Sequence, residues 1–569
     1  MSSFKVPMPS QGVEAFVPAS ILQTFHKDGK TESNNTITFT ILALLASILA
    51  FQYFFGAPAG FQPPAGSKAK KIKSFIPALG QMGFYGNSRP TWVKNHMGSV
   101  TRPAELKPIR MNIRSMVVTI VHGTESARSF FNNRDLNFNK GFQGLFIGIP
   151  SPKRSIEDVE GEVDEKMVAL DQPAPKSQNL FDQWRNKNLR NCLSDKRLIQ
   201  HDVMRKVARD FEEGFQDVWK NDGIDATKAG STGLINMTEQ LYWIIFRVSI
   251  RIVGSTELAD DKSVLKPMMD SYWTIETENN YFNTIFPNLP IPSNRRRKKA
   301  GEDLHNLLKT PIEKRIASGD REEDYTQVLI DAGNSAMDIT LWQTGNLFAS
   351  IINSSAMFAW TLAFASADDG IYQKLRGEID GTMERLCKEN GVPSTANAFQ
   401  KIASFSIEQL ENNFGFTYFC IRETIRLLSN DYIYRLMQPK QPGSTGNVGG
   451  ETIRDGEYLA FNMATINLSN DIYPNPLKYD PNRWERGEGS GPYEFVGWGT
   501  GLHPCIGMKL AKNELKIGLA FVVATMDIRP INVKTSKPYT SETLPRPQQF
   551  SGGYRAPTGP LKLHYTIRG

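Results

Sequence analysis

Apolar and polar positions follow two rhythms along this chain, and together they predict a helical body carrying a few short strands. Apolar residues recur at three- and four-residue spacing through 178–220, 238–253, 306–316, 342–365 and 406–428, as expected of helices that bury one face. Two stretches break that rhythm. Residues 112–121 (NIRSMVVTIV) are β-branched and 452–465 alternates, so both read as strands. A short helix is expected over 123–133, a surface loop over the acidic, proline-flanked 156–176, and a turn at the glycine-rich 442–450. No internal repeat emerges. The fold class predicted is mainly α with small β-sheets, in one large domain.

One apolar run has no polar face at all. Thr36–Phe55 reads TITFTILALLASILAFQYFF, inside a gap without Asp, Glu, Lys or Arg that extends from Glu32 to Lys68. At 1.5 Å per residue, about 20 helical residues cross the roughly 30 Å hydrocarbon core of a bilayer. Gly and Pro crowd the next ten positions, and Lys68, Lys70, Lys71 and Lys73 follow, against Lys27 and Lys30 before the run. The excess of positive charge places the carboxyl-terminal bulk on the cytoplasmic side. The expected organisation is a short lumenal segment (1–35), a single transmembrane anchor (36–56), a Pro/Gly hinge and basic linker (57–74), and one catalytic domain (75–569).

Composition narrows the function classes. The 569 residues carry 66 Lys+Arg against 59 Asp+Glu, a net charge of +7. That balance is too mild for a nucleic-acid partner and suits an anionic membrane surface or an acidic protein. The four cysteines (Cys192, Cys387, Cys420, Cys505) form no C-x-x-C pair, which argues against a disulfide scaffold or a structural zinc site. The basic run Arg295–Lys299 reads as a solvated helix start, with phosphate or lipid headgroups as the alternative.

The chemistry concentrates in 495–514, FVGWGTGLHPCIGMKLAKNE. Cys505 sits in a glycine-punctuated turn that opens a helix, where the dipole and free amide N–H groups favour the thiolate. Gly499, Gly501 and Gly507 would let the backbone approach the sulfur and a flat cofactor. His503 lies two residues before the sulfur, placed to offer a cationic donor to an anionic group. The whole pattern, W-G-x-G-x-H-x-C-x-G-x-x-L-A-x-x-E, resembles the haem-binding loop of the cytochrome P450 family, with Trp498 where that family usually has Phe.

Upstream stretches extend the resemblance. Glu423-Thr424-Ile425-Arg426 matches the family's E-x-x-R, whose i, i+3 spacing puts carboxylate and guanidinium on one helix face. Asp480–Trp484 resembles its meander motif, so Arg483 would complete a structural Glu423–Arg426–Arg483 cluster. Arg435 resembles the arginine that pairs with a haem propionate. Trp184 and Arg190 are six apart, so the family's W-x-x-x-R contact stays unassigned. The resemblance implies a thiolate-ligated haem b with Cys505 as axial ligand, held by His503, Arg435, Trp498, Gly499, Gly501 and Gly507. The anchor, hinge and basic patch are similar to the membrane-bound, endoplasmic-reticulum type with a cytosolic catalytic domain. The overall look is similar to the sterol-demethylase and prostacyclin-synthase branch.

The distal helix departs from the family. Where an acid–alcohol pair is usual (A-G-x-[DE]-T), 349–355 reads ASIINSS, with Ile352 in the acid's place and Asn353 in the alcohol's. Isoleucine cannot relay protons, and an amide is a poor proton donor. Two readings follow. Asn353, Ser354 or Ser355 holds a water chain, and the protein is a monooxygenase that uses O2 and electrons from an NADPH-dependent reductase on a lipophilic substrate such as a sterol, terpenoid, fatty acid or polyketide. Alternatively, it isomerises or dehydrates a peroxide without reductase. Monooxygenation, the family's usual chemistry, is preferred. A reductase would dock near Lys509 and Lys512. A haem sensor or a cofactor-free membrane scaffold would share the sequence but form no product.

Overall fold

The computed structural model describes residues 95–548, apart from 114–115, 146–149, 151–169, 171, 177, 279–282 and 284–288, together with 555–568 and a few positions before 95. The run expected to cross the membrane lies outside the described residues except for Leu44 and Ser47, and so does most of the acidic loop.

A six-stranded sheet forms at one side in the order β1-β2-β3-β9-β6-β4. Its first strands are β1 (Lys70–Lys71), β2 (Ile109–Ile113) and β3 (Met116–Val121). Lys70 pairs in parallel with Ile109, so the basic linker already belongs to the sheet. The single strand expected over 112–121 is the hairpin β2–β3, with Ile113 opposite Met116. Helix α1 (Gly123–Phe131), β4 (Leu136–Asn137) and helix α2 (Phe138–Leu145) follow.

The long helical pattern 178–220 divides into α3 (Gln178–Cys192), a short helix Asp195–Gln200 and α4 (Val203–Asn221), with Asp202 left-handed at φ +48° before α4. After β5 (Thr232–Ile235) come α5 (Tyr242–Val253), α6 (Lys262–Thr277), α7 (Pro292–Ser318), α8 (Ala336–Ser366), α9 (Asp369–Glu389) and α10 (Gly415–Leu428). Beyond them lie β6 (Tyr432–Met437), β7 (Thr445–Val448), β8 (Glu451–Arg454), β9 (Tyr458–Asn462), α11 (Met508–Thr525), β10 (Met526–Asn532) and β11 (Leu561–Ile567). β10, β11 and β5 make a second sheet, and β7 and β8 a third.

Each face of the large sheet has its own apolar cluster, because side chains alternate at period two. Val118, Ile120 and Ala460 point into one, and Val121, Leu459 and Phe461 into the other. The main core is helical. α8 runs through it, packed against α5, α7, α10 and α11. Its start is set by Ser335, whose hydroxyl accepts the Asp338 N–H at 3.1 Å. Among the described helices, α8 alone is long and apolar enough to cross a membrane, and it is mostly buried in this core.

The pattern over 406–428 is not one helix. The chain breaks between Ile407–Asn412 and α10, with Phe414 left-handed at φ +60°. The start of α10 is capped from a distant helix. The Glu378 carboxylate on α9 accepts the Phe416 N–H at 2.6 Å and the Thr417 N–H at 2.7 Å. Glu378→Ala is therefore expected to destabilise the fold by about 1–2 kcal/mol, read from the denaturation midpoint. No change in that midpoint would show that the cap is dispensable.

The basic run lies on α7, and three of its side chains find partners inside the protein. Arg296 donates to Glu278, Lys299 to Asp303 at 2.9 Å, and the buried Arg297 to the Ile275 carbonyl at 3.0 Å.

Candidate active site

The segment leading into α11 is held in shape by its own backbone. The Gly499 N–H donates to the Val496 carbonyl at 2.9 Å and the Cys505 N–H to the Trp498 carbonyl at 2.7 Å. Gly499 and Gly501 both sit at φ +65°, a region that side chains disfavour. At Gly501 a Cβ would come within 2.4 Å of the Phe131 carbonyl oxygen, the same atom that accepts the Leu502 N–H at 3.0 Å. That glycine thus serves a backbone-to-backbone approach between the turn and α1. Gly507 differs. It caps α11 at φ −86°, and its nearest neighbour would be Leu193 Cδ1 at an ordinary 3.8 Å.

Cys505 is exposed, whereas Cys192, Cys387 and Cys420 are buried. Burial nevertheless raises its thiol pKa, opposed by the Gly507 N–H. A sulfur that is accessible yet closely surrounded by protein lies in a recess.

Positive charge gathers beside the same turn. Arg435 on β6 is 2% exposed, its Nη1 donates to the Tyr434 carbonyl at 2.8 Å, and the rings of Phe130 and Phe138 stack on the guanidinium at 5.2 and 4.7 Å. Among the described residues no carboxylate pairs with it, and burial pushes its pKa down to about 10. The His503 ring stacks on Phe138 at 5.4 Å. Burial and then the positive charges of Arg435 and Arg190 lower the His503 pKa. The buried indole N–H of Trp498, seven residues before Cys505, has no acceptor among the described residues. A buried guanidinium without a counter-ion is costly, so this cluster is built for an anion.

Behind the turn lies the carboxylate–arginine cluster. Arg426 grips Glu423 with Nε at 2.9 Å and Nη2 at 2.7 Å, and Arg483 Nε reaches the same carboxylate at 2.9 Å. The Asp480 N–H adds a bond at 3.0 Å, and Arg426 Nη1 ties in the carbonyls of Asn467 and Pro476 at 2.6 and 2.7 Å. All three charged side chains are buried. Every strong donor and acceptor is matched, which makes the cluster a rigid brace.

On α8, Ala349 and Asn353 are exposed, four residues apart, while 354–363 is continuously buried. Asn353 donates through Nδ2 to the Ala349 carbonyl at 2.8 Å. Ile352 is buried beside it. Ser354 turns the other way, into the interior, where its hydroxyl meets Glu514 of α11. The structure thus gathers His503 and Arg435 at Phe138 beside the Cys505 turn, and it separates Asn353 from Ser354.

Three side chains here escaped the sequence reading. Phe138 gave no signal beyond its aromaticity. Arg190 was visible only through its offset from Trp184, and Glu514 only as the last letter of the loop motif. Lys509, expected near a docking face, bridges Asp195 at 2.7 Å and Glu411 at 2.9 Å through its Nζ. Lys512 stacks on Tyr418 at 4.7 Å.

Comparison with known proteins assigns the family. The family model described as Cytochrome P450 matches residues 182–550, well over half of the chain, which therefore belongs to the cytochrome P450 family. Cytochrome P450 monooxygenase nsrP of Aspergillus novofumigatus is 28% identical over 311 residues, covering 53% of this chain and 59% of its own length. Obtusifoliol 14-alpha demethylase of Triticum aestivum is 28% identical over 306 residues, with 51% and 62% covered. Lanosterol 14-alpha demethylase of Macaca fascicularis is 25% identical over 500 residues, with 86% and 87% covered. Aligned with nsrP and two further fungal monooxygenases, the chain spans about three fifths of each relative's length.

The family's cofactor is a thiolate-ligated haem b. The residues present fit it. An accessible cysteine at a helix start suits the iron, and a buried arginine without a carboxylate partner among the described residues, a histidine and the orphan Trp498 indole N–H suit the carboxylates of protoporphyrin.

Proposed function

We propose that this chain is a haem-thiolate monooxygenase that inserts one oxygen atom of O2 into a lipophilic substrate, with electrons from NADPH through a reductase. The observation that carries the reading is the exposed Cys505 beside a cluster of Arg435, Arg190 and His503 in which no carboxylate among the described residues pairs with Arg435. Cys505 would ligate the iron, and Arg435 and His503 would hold the propionates, with Trp498 packing at the rim. Gly499 and Gly501 fix the turn that presents the sulfur, while the Glu423–Arg426–Arg483 brace keeps it from moving. When bound, haem supplies the activation of O2, and thiolate donation favours O–O cleavage.

The exposed Ala349–Asn353 face of α8 would form the substrate side. Next to it Phe348 is half-buried and Met357, one turn beyond Asn353, is buried, giving an apolar surrounding suited to a sterol-, terpenoid-, fatty-acid- or polyketide-like molecule. Asn353 ties one amide hydrogen to Ala349, which leaves its Oδ1 to orient water or substrate. The relatives named for sterol demethylation and for fungal monooxygenation support this chemistry. None of the three is named as a peroxide isomerase. The apolar run at 36–56 and the lysines after it support a single-pass anchor in the endoplasmic reticulum membrane, with the domain facing the cytosol.

Incubation of the full chain with NADPH, reductase and ¹⁸O2 tests the proposal. Product from a lipophilic panel is expected to carry one labelled oxygen and to require NADPH. Unlabelled product formed from a peroxide without reductase would sink it in favour of isomerisation.

A further inference from the structure

The open face of α8 carries more than Asn353. Leu341, Gly345, Ala349 and Asn353 recur every four residues, and each is half-buried or exposed, while 342–344, 346 and 347 are buried. A spacing of four sets these positions in one row on a helix. At 1.5 Å per residue the row runs about 12 Å from Gly345 to Asn353. Between those two ends it offers Ala349, with the half-buried Phe348 beside it.

A cation sits at the Gly345 end. Helix α3 meets α8 there, and the Trp342 indole N–H donates to the Arg185 carbonyl at 3.2 Å. From that fixed backbone the Arg185 side chain reaches Gly345, one turn nearer Asn353. A Cβ on Gly345 would come within 3.2 Å of Arg185 Nη1 and 3.6 Å of its Cδ. Glycine inside a helix weakens the helix, and here its bare surface is what seats the guanidinium.

The protein itself matches this guanidinium poorly. The carboxylate that pairs with it is Asp182, at 3.7 Å, and Asp182 also accepts Gln143 Nε2 at 3.4 Å. Among the described residues no hydrogen bond engages the guanidinium N–H groups, and the side chain keeps 30% of its surface open. An arginine fork with unbonded N–H groups suits a carboxylate, whose two oxygens accept in parallel.

Resting on the monooxygenase reading, in which this face of α8 is the substrate side, we propose that Arg185 selects a lipophilic substrate that bears a carboxylate. The carboxylate binds the guanidinium over Gly345, and the apolar body lies along Ala349 and Phe348. The part of the molecule about 12 Å from the acid then reaches Asn353, so oxidation falls on carbons remote from the carboxyl group. A neutral lipid leaves the cation unmatched and binds less well. Arg185 touches the substrate but not the reacting carbon.

Equilibrium dialysis on the full haem-loaded chain tests the proposal without reductase or NADPH. The probes are palmitic, abietic and lithocholic acids, each beside its methyl ester. In the pair that binds best, the acid should bind about tenfold or more tightly than the ester. Arg185→Gln should erase that preference by weakening the acid and sparing the ester. Arg185→Lys should keep part of it, because an ammonium retains the charge without the fork. Haem content and the thiolate–CO band should hold in both variants. With reductase, the new oxygen of the preferred acid should lie remote from its carboxyl group.

A wild type that binds no acid, or binds the esters as tightly, overturns the proposal, and so does an acid preference that survives Arg185→Gln. Loss of haem from both variants overturns it by giving the arginine to the cofactor, and oxygen placed next to the carboxyl group overturns the alignment along α8. If Arg185→Gln does not fold, a reduced acid preference in Arg185→Lys supports the proposal, and an undiminished one overturns it. Acid preference without NADPH-dependent, labelled product leaves the role of Arg185 standing and overturns monooxygenation alone.

Discussion

Cys505→Ala is expected to remove the red-shifted Soret band of the reduced, CO-bound protein altogether and to abolish NADPH-dependent product formation. Cys505 is the one cysteine of the four that is accessible, while burial seals the other three in the core. No substitute sulfur can therefore reach the same recess. Cys505→His separates ligation from chemistry. An imidazole can bind iron, but it lacks the electron donation that favours O–O cleavage, so haem content should partly survive while the thiolate band and turnover do not. Difference spectra and pyridine haemochrome assays on the purified chain read both effects. A normal thiolate band in Cys505→Ala would end the ligand assignment.

The second large effect falls on the brace. Glu423→Ala leaves two guanidinium groups, Arg426 and Arg483, buried without their shared carboxylate. Removing one partner of a buried ion pair costs about 3–5 kcal/mol, because the remaining charge keeps its desolvation penalty. Against a typical stability of about 5–15 kcal/mol, that is a large fraction. The expected result is poor recovery of folded protein, a lowered unfolding midpoint and little haem retained. Glu423→Gln keeps the volume but not the charge and should fall in the same direction. An unchanged midpoint in both variants would show that the carbonyls of Asn467 and Pro476 hold the arginines without the acid.

The sequence announced the turn around Cys505 through its cysteine and glycines, whereas the Glu423–Arg426–Arg483 cluster was legible only through the resemblance to the family, because Arg483 lies 60 residues from Glu423. Helix α1 was legible to within two residues, and β-branching exposed the region of β2 and β3. Their hairpin was not legible, since Arg114-Ser115 between the arms contains neither glycine nor proline. The break before α10 was hidden for a different reason. The carboxylate that caps it comes from Glu378, almost 40 residues earlier in the chain, and no periodicity encodes such a contact. Helix α6 carries Pro267 within it, which masked a helix that tertiary packing nevertheless holds. The aromatic stack joining Arg435, Phe138 and His503 spans 365 residues, and only the folded sheet brings it together.

The shared Phe131 carbonyl has a thermodynamic consequence for assembly. It receives the Leu502 N–H and fills the space beside Gly501, so the sulfur-bearing turn is shaped by α1 and by its own hydrogen bonds. A receptor organised in advance does not lose chain entropy when its prosthetic group arrives. Capture of the porphyrin should then resemble docking into a finished mould, with a rate set by entry of the ring instead of by folding of the segment that grips it.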